Sequence, residues 1–400
     1  KGGNMIFLAT NGAATISFTN TSVTNEMTAG DKSFYATNVD VSIAGALDVS
    51  ATSANKEFRF YGNGDYTLDG SIVTTNNTFT SSLVVGTTGT VTLNASNNYN
   101  GTTMVTNNAT LLLGNDYALG TTNNGTTVSL GSSLDLGGRS VSGETFLIEG
   151  AGVSSGGAIK NSSASAASFS GTVTLSNATT IATTNGKITL SGVIGDAGAA
   201  RTLTKTGVGT LTLSGAAANT YTGLTSISGG TLELNKTAGV NAIAGAVAVG
   251  SGAKLLLSAD NQVANTSAVT LSGGTIQRAS GVSEVFGNLD LTASSFLDFG
   301  TGDIGTLSFG TYTPSSLLTV QNFLPGNTLT FGTDLTSTIN NGSLFSFSGN
   351  FTSGWSSGSS TFTITAIPEP ATYIAAVGLL GLMLWPLRRK VWSSDRTRAC

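Results

Sequence analysis

The fold is decided by the stretch Leu203-Thr-Lys-Thr-Gly-Val-Gly-Thr-Leu-Thr-Leu-Ser-Gly215, which is followed by Asn219-Thr-Tyr221-Thr-Gly223 and Gly230-Thr-Leu-Glu-Leu-Asn235. Leu and Thr alternate over four to six residues, and Gly and Asn separate these runs. Alternate residues of a strand point to opposite faces, so Leu232 and Leu234 share one face. Gly and Asn accept the backbone angles of tight turns. The pattern predicts short strands joined by sharp turns.

The strands return at a nearly constant interval. Equivalent positions are Leu211, Leu232, Leu255 and Ile276, at steps of 21, 23 and 21 residues, and Val247 and Val269, at a step of 22. A sandwich of hairpins gives no reason for such a lasting step, whereas coils that stack equivalent strands on one another require it. We therefore expect an all-β fold, a parallel β-helix (β-solenoid) with a continuous aliphatic core.

A second copy of the pattern lies earlier in the chain. It reads Gly89-Thr-Val-Thr-Leu-Asn94, Asn97-Asn-Tyr99-Asn-Gly101 and Ala109-Thr-Leu-Leu-Leu-Gly114, and a degraded copy covers 169–175. These residues closely resemble the autotransporter-associated β-strand repeat, which builds a parallel β-helix in exported bacterial passenger proteins. The resemblance implies such repeats over 81–285, preceded by divergent solenoid coils over 1–80.

The segment 286–366 differs in composition from the repeats before it. It concentrates aromatic residues: Phe286, Phe296, Phe299, Phe309, Phe323, Phe331, Phe345, Phe347, Phe351, Trp355 and Phe362. The end of a solenoid exposes an unpaired strand edge and a cross-section of apolar core, so an atypical terminal unit is needed there. We predict that 286–366 is an aromatic-rich C-terminal cap.

The end of the chain carries three elements in order: Pro368-Glu369-Pro370, an apolar stretch over 372–387, and the basic cluster Arg388, Arg389 and Lys390. This order over 367–390 resembles the PEP-CTERM sorting signal of bacteria. It predicts a single C-terminal transmembrane sorting helix over 372–387, with the basic cluster on the cytoplasmic side. The resemblance implies processing by an exosortase, transient residence in the inner membrane, and delivery to the cell surface or extracellular matrix. A short polar tail, 391–400, follows.

The composition of the chain argues against several classes of function. The chain has 400 residues, no histidine, one cysteine, 10% charged residues and a net charge of −4. It has no basic stripe, which argues against a nucleic-acid partner. Without histidine and with a lone terminal cysteine, it has neither a His-based triad nor a thiol nucleophile. We expect no cofactor, no metal site and no catalytic residues.

Three further groups of residues could carry chemistry, and each also has a structural interpretation. Two segments, 62–65 and 298–303, offer oxygen atoms for calcium, but turn Asp and Asn side chains usually bond their own backbone. The acidic residues Asp290, Asp298 and Asp303 could serve a glycosidase, although a surface role is favoured. Tyr99 and Tyr221 could form a sugar-binding platform, and a turn plug packed over the core is favoured.

The sequence therefore predicts an exported, non-catalytic structural protein of the cell surface or matrix, with exopolysaccharide as a candidate partner. Three alternatives stay open: a carbohydrate-binding adhesin, a carbohydrate-active β-helix enzyme, and an autotransporter-like passenger.

Overall fold

The computed structural model describes residues 5–9, 14–19, 22–24, 30–75, 78–122, 124–302 and 304–368. Within them the chain forms 39 strands and one short 3-10 turn, Val153–Ser155. The strands wind into a parallel β-solenoid of about 14 turns. This confirms the all-β fold class and the β-solenoid.

The strands are as follows. The first part of the chain contains β1 (Met5–Leu8), β2 (Ala14–Phe18), β3 (Ser22–Thr24), β4 (Lys32–Thr37), β5 (Val39–Ile43), β6 (Ala46–Asp48), β7 (Lys56–Gly62), β8 (Tyr66–Leu68), β9 (Ile72–Val73), β10 (Ser81–Val85), β11 (Thr90–Leu93), β12 (Thr103–Val105) and β13 (Thr110–Leu113). The middle contains β14 (Thr126–Val128), β15 (Ser133–Asp135), β16 (Ser140–Val141), β17 (Phe146–Gly150), β18 (Ile159–Asn161), β19 (Ala167–Phe169), β20 (Val173–Thr183), β21 (Ile188–Leu190), β22 (Ile194–Gly195), β23 (Leu203–Thr206), β24 (Thr210–Gly215), β25 (Thr225–Ile227) and β26 (Thr231–Lys236). The last part contains β27 (Val247–Val249), β28 (Lys254–Leu257), β29 (Val269–Ser272), β30 (Thr275–Arg278), β31 (Glu284–Val285), β32 (Leu289–Ala293), β33 (Ser295–Asp298), β34 (Thr306–Phe309), β35 (Leu318–Gln321), β36 (Thr328–Phe331), β37 (Phe345–Phe347), β38 (Phe351–Ser356) and β39 (Thr361–Ala366).

The strands form three long ladders of parallel strands, named here in the order in which the chain visits them, and β31, β34 and β36 form a shorter parallel ladder near the C-terminal end. The first ladder stacks β1, β4, β7, β10, β12, β14, β17, the start of β20 and β22. The second runs from β2 through β11, β13 and the end of β20 to β23, β25, β27, β29 and β32. The third stacks β3, β6 and β9, and later β16, β19, β21, β24, β26, β28, β30, β33, β35 and β37.

The spacing of the aliphatic residues predicted this register. In the third ladder the paired positions are Leu211 with Leu232, Leu232 with Leu255, and Leu255 with Ile276, and in the second ladder Val247 pairs with Val269. Their side chains are at most 1% exposed. Each therefore packs on its equivalents in the adjacent coils, which builds one continuous core along the rod.

The C-terminal end departs from parallel stacking. Strand β39 pairs antiparallel with β36, and β38 pairs antiparallel with β39. This hairpin ends the described solenoid, while parallel coils continue through β37 inside the segment predicted as a cap. Aromatic rings stack along this end, including Phe309 on Phe331 at 5.7 Å between ring centroids.

The predicted sorting helix over 372–387 lies outside the described residues. Within the part of the chain that the structure describes, no helix is both long enough and apolar enough to cross a membrane.

Candidate functional site

The unit that repeats is a corner of the solenoid, and Asn219 is its centre. Its Oδ1 atom accepts a hydrogen bond from the backbone nitrogen of Ile194 at 2.9 Å, in the preceding coil. Its Nδ2 atom donates to the backbone oxygen of Ala242 at 2.8 Å, in the following coil. One buried amide thus satisfies backbone groups of both neighbouring coils, which holds three successive coils in register.

Tyr221 fills the core beside this corner. Its side chain is completely buried, and its hydroxyl lies 2.8 Å from Thr225 Oγ1. Between them, Gly223 passes so close to the preceding coil that a Cβ atom there would lie 2.1 Å from the backbone oxygen of Arg201. A residue without a side chain is therefore required at this position.

The earlier copy has the same construction. Asn97 accepts from the backbone nitrogen of Ile72 at 2.7 Å, and the hydroxyl of Tyr99 lies 2.6 Å from Thr103 Oγ1. Tyr99 and Tyr221 are 1% and 0% exposed. Neither ring is available to a sugar, so the structure favours the turn plug over the sugar-binding platform.

The two copies occupy different corners. The strand before Asn97 is β11, in the second ladder, whereas the strand before Asn219 is β24, in the third ladder. The motif has therefore advanced by one ladder between its two copies. The corner is a local module that serves at more than one edge of the solenoid.

Lys205, another residue of the repeat, bonds the backbone of nearby turns. Its side chain points into the solenoid from β23 and is buried, and Nζ donates to the backbone oxygens of Thr206, Gly207 and Gly229 at 2.8, 2.9 and 2.9 Å. Burial lowers the pKa of Lys205 to about 8. The ammonium group supplies donors to carbonyl groups that the turn leaves without strand partners.

On the outer face of the third ladder, Glu233 links four successive coils. Its carboxylate accepts hydrogen bonds from Lys187 Nζ at 3.0 Å, Thr212 Oγ1 at 2.7 Å and Ser258 Oγ at 3.0 Å. Partial burial opposes ionisation, but the bonds from Thr212, Lys187 and Ser258 outweigh it and lower the pKa of Glu233. The polar groups of this face are thus used for coil-to-coil bonding.

Of the acidic residues considered for catalysis, Asp290 and Asp298 lie in different ladders. Asp298 is 9% exposed and accepts from Gln277 Nε2 at 2.6 Å and Asn322 Nδ2 at 2.7 Å. Asp290 is exposed on β32, in a different ladder, and Asp303 lies outside the described residues.

The two segments considered for calcium also make coil-to-coil bonds. In the first, Asp65 accepts from the backbone nitrogen of Thr90 at 2.7 Å, and Asn63 exchanges hydrogen bonds with Asn38. In the second, Asp298 bonds Gln277 and Asn322 of the adjacent coils and also accepts from the backbone nitrogen of Gly300, in its own turn, at 2.9 Å. Among the residues that the structure describes, no three His, Cys, Asp or Glu side chains are grouped so that they could hold a metal ion.

Two buried carboxyl groups were not foreseen from the sequence. Glu284 accepts from the backbone nitrogen of Gln262 at 2.6 Å, and Glu144 accepts from Thr126 Oγ1 at 2.9 Å. Burial raises the pKa of each to about 7, although these hydrogen bonds act in the opposite direction. Strand alternation could not reveal them, because Glu284 occupies an inward position that the pattern assigns to an aliphatic residue and Glu144 lies between β16 and β17.

The residues of the sorting motif fall at or beyond the end of the described chain. Pro368 is the last described residue, and Glu369, Pro370, Arg388, Arg389 and Lys390 lie outside.

Comparison with known proteins bears on the repeat. Residues 203–234 match a family model described as the passenger-associated-transport-repeat. This segment begins at β23 and ends in β26, so it contains Lys205, the Asn219 corner and Glu233. The match supports the repeat resemblance seen in the sequence. No curated protein matches the chain.

Proposed function

We propose that this chain is the passenger-type β-solenoid of an exported protein, a non-catalytic rod that presents its outer faces at the cell surface. The observation that carries this proposal is the passenger-repeat match over 203–234, which contains a complete coil of the solenoid. For this reason we prefer an autotransporter-like passenger, one of the alternatives that the sequence left open, to a matrix protein sorted through its C-terminal tail.

Stacked coils suit a protein that folds after export. Backbone pairing joins each coil to the coil before it and the coil after it, and Asn219 bonds Ile194 and Ala242 in the same way, so folding can start at one end and propagate. The described fold depends on hydrogen bonds and packing rather than on disulfides. These properties support a display rod that assembles outside the cytoplasm.

Surface display is testable on intact cells that produce the natural full-length protein. Antibodies raised against residues 203–236 should label unpermeabilised cells or the culture supernatant, and external protease should remove that signal. A cytoplasmic marker protein provides the control for cell integrity. Exclusive recovery of the full-length protein in the cytoplasmic fraction would refute the proposal.

A finer proposal concerns the export route. We propose that 367–390 acts as a PEP-CTERM sorting signal, with Pro368, Glu369 and Pro370 read by an exosortase and 372–387 entering the inner membrane transiently. The order of the three elements supports it, since a basic cluster after an apolar stretch remains cytoplasmic.

The sorting proposal has its own test. Replacing Pro368, Glu369 and Pro370 by alanine should leave an unprocessed, membrane-retained protein of higher mass. The matched control Pro314→Ala lies within the solenoid and should be processed normally. Unchanged mass and location of the triple variant would exclude sorting through this motif, while the passenger proposal would stand.

A further inference from the structure

An outward-facing pair of tyrosines lies on the first ladder, near the N-terminal end of the rod. Tyr35 in β4 is paired in register with Tyr61 in β7. Their ring centroids are 5.3 Å apart, and the ring planes differ by 35°. The preceding residue of each strand, Phe34 or Phe60, points into the core and is at most 2% exposed. Strand alternation therefore places both tyrosines on the outer face, where they are half-buried.

The next coil is built to accommodate this pair. Gly86 follows β10 at the position that continues the register of Tyr61, and a Cβ atom on Gly86 would lie 2.4 Å from Tyr61 Cε1. The Tyr61 ring consequently lies over the backbone of the next coil instead of projecting into solvent. This contact restricts the ring and lowers the entropy that binding would cost.

Charged groups lie beside the rings on the same face. Arg59 contacts Asp31 through Nη2 and Oδ2 at 2.6 Å, and its Nε donates to Glu57 Oε2 at 2.8 Å. The side chains of Arg59, Asp31 and Glu57 are 28%, 35% and 42% exposed, so all three are reachable from solvent. Two carboxylates and one guanidinium give this cluster one net negative charge.

The carboxylate of Glu57 differs from that of Glu233. There both carboxylate oxygens bond to neighbouring coils. In the tyrosine cluster, Glu57 Oε1 makes no hydrogen bond within the described part of the chain. Both oxygens of Asp31 already accept, Oδ1 from the backbone nitrogen of Glu57 at 3.0 Å and Oδ2 from Arg59 Nη2 at 2.6 Å. Since a carboxylate offers about four acceptor sites, Glu57 retains the most capacity for hydroxyl groups of a ligand and Asp31 retains less.

We propose that Tyr35, Tyr61, Arg59, Asp31 and Glu57 form a binding site for a neutral oligosaccharide. The C–H face of a pyranose ring packs on the tyrosine rings, and its hydroxyls donate to the two carboxylates and accept from the guanidinium. Aromatic side chains with a few placed polar groups form this type of site.

The charge of the site selects among ligands. One net negative charge repels uronic-acid polymers, sulfated glycans and nucleic acids. An apolar protein partner would strip water from three charged side chains without replacing their hydrogen bonds to water, which is costly. A neutral, hydroxyl-rich ligand meets neither obstacle. The biological meaning of such binding rests on the proposed surface display, because only a displayed rod meets external glycans.

The experiment uses the purified full-length chain, so its outcome is independent of the export route. Titration calorimetry is performed with neutral gluco-, manno- and galacto-hexasaccharides and with a hexamer of galacturonate. At least one neutral hexasaccharide should bind, and the anionic hexamer should bind at least tenfold more weakly. Absence of binding by all neutral probes, or equal binding of the anionic one, overturns the proposal.

Variants locate the site. Tyr61→Ala should weaken binding about fivefold, which corresponds to about 1 kcal/mol, the scale of one aromatic contact. Tyr61→Phe keeps the ring and should retain most of the affinity. Tyr117, which is 67% exposed in a distant turn, provides the control Tyr117→Ala. An equal loss in Tyr117→Ala, or no loss in Tyr61→Ala, contradicts the assignment.

A second variant distinguishes a loss of binding from a loss of folding. Glu57→Gln keeps the size of the side chain on the rod surface and should reduce affinity severalfold while thermal unfolding stays unchanged. Full affinity in Glu57→Gln would exclude the carboxylate from the site.

Discussion

The hydroxyl of Tyr221 lies 2.8 Å from Thr225 Oγ1 inside the core, so that one of the two hydroxyls donates a hydrogen bond to the other. Tyr99 and Thr103 repeat the relationship at 2.6 Å in a coil that lies at a different corner. A buried hydroxyl is costly when its partner is removed and nearly neutral when both are replaced by apolar groups. We infer that the repeat needs tyrosine at this position because its hydroxyl bonds the buried hydroxyl of the threonine four residues later.

Tyr221→Phe should lower the free energy of unfolding by about 1–3 kcal/mol, because Thr225 Oγ1 is left without a partner. The double variant Tyr221→Phe/Thr225→Val should lose less than the sum of the two single variants. Urea unfolding followed by circular dichroism measures all three. Tyr117→Phe, on the exposed surface, should change stability by less than about 0.5 kcal/mol. Strict additivity would show that the hydroxyls do not interact.

Asn219→Ala should destabilise the solenoid by roughly 2–5 kcal/mol, since it leaves the nitrogen of Ile194 and the oxygen of Ala242 unsatisfied in the interior. The Ile194 amide should also exchange with solvent faster in native-state hydrogen exchange. Asn185→Ala is the matched control, because exposed Asn185 bonds a single backbone oxygen, that of Ser162. Equal effects of the two substitutions would show that bridging three coils contributes nothing.

The register of the repeats could be predicted because aliphatic side chains mark it directly. Leu211, Leu232 and Leu255 pair as their spacing requires, since each must reach the same core in successive coils. The buried position of Tyr221 follows from the same logic, because a large ring beside an aliphatic stripe is stabilised by burial.

Other features could not be predicted from the sequence. The approach of Tyr35 to Tyr61 depends on pairing between coils that share no repeat motif. The buried charge of Lys205 depends on turn carbonyls that belong to two different coils. The antiparallel hairpin after β37 has the same alternation as a parallel coil, so periodicity alone does not reveal strand direction.

Gly223→Ala should destabilise the protein by about 1–4 kcal/mol, because the added methyl group meets the rigid backbone of the preceding coil at 2.1 Å. Gly229→Ala is the matched control: its added methyl group would meet the nearest atom, the backbone oxygen of Gly207, at 3.5 Å. Thermal unfolding of both variants provides the comparison. A cost for Gly229→Ala as large as that for Gly223→Ala would mean that close approach between coils is not the cause.

The pH dependence of stability should follow the buried carboxyl groups. The pKa of Glu284 and of Glu144 is raised by burial to about 7, above an ordinary value of 4.5. A raised folded-state pKa means that the folded protein binds the proton more tightly than the unfolded chain. The stabilisation is therefore complete below about pH 4.5 and is lost as the pH rises through 7. Groups whose pKa is lowered affect the free energy of unfolding in other pH ranges: Glu233 and Asp196 below pH 5, and Lys205 above pH 8.

From pH 5 to about pH 7 we thus expect the free energy of unfolding to fall as the pH rises, by up to about 1.4 kcal/mol per pH unit for each of the two groups, and to level off above pH 7, where both states have lost the proton. Glu284→Gln should flatten this slope and make the variant more stable than the wild type at pH 8, because no charge needs to be buried. Glu149→Gln, which removes a carboxylate from the outer face of β17, serves as the control and should keep the wild-type slope. Denaturant unfolding at pH 5, 6, 7 and 8 measures the effect. A stability that rises with pH across this range would show that Glu284 is ionised in the folded solenoid without cost.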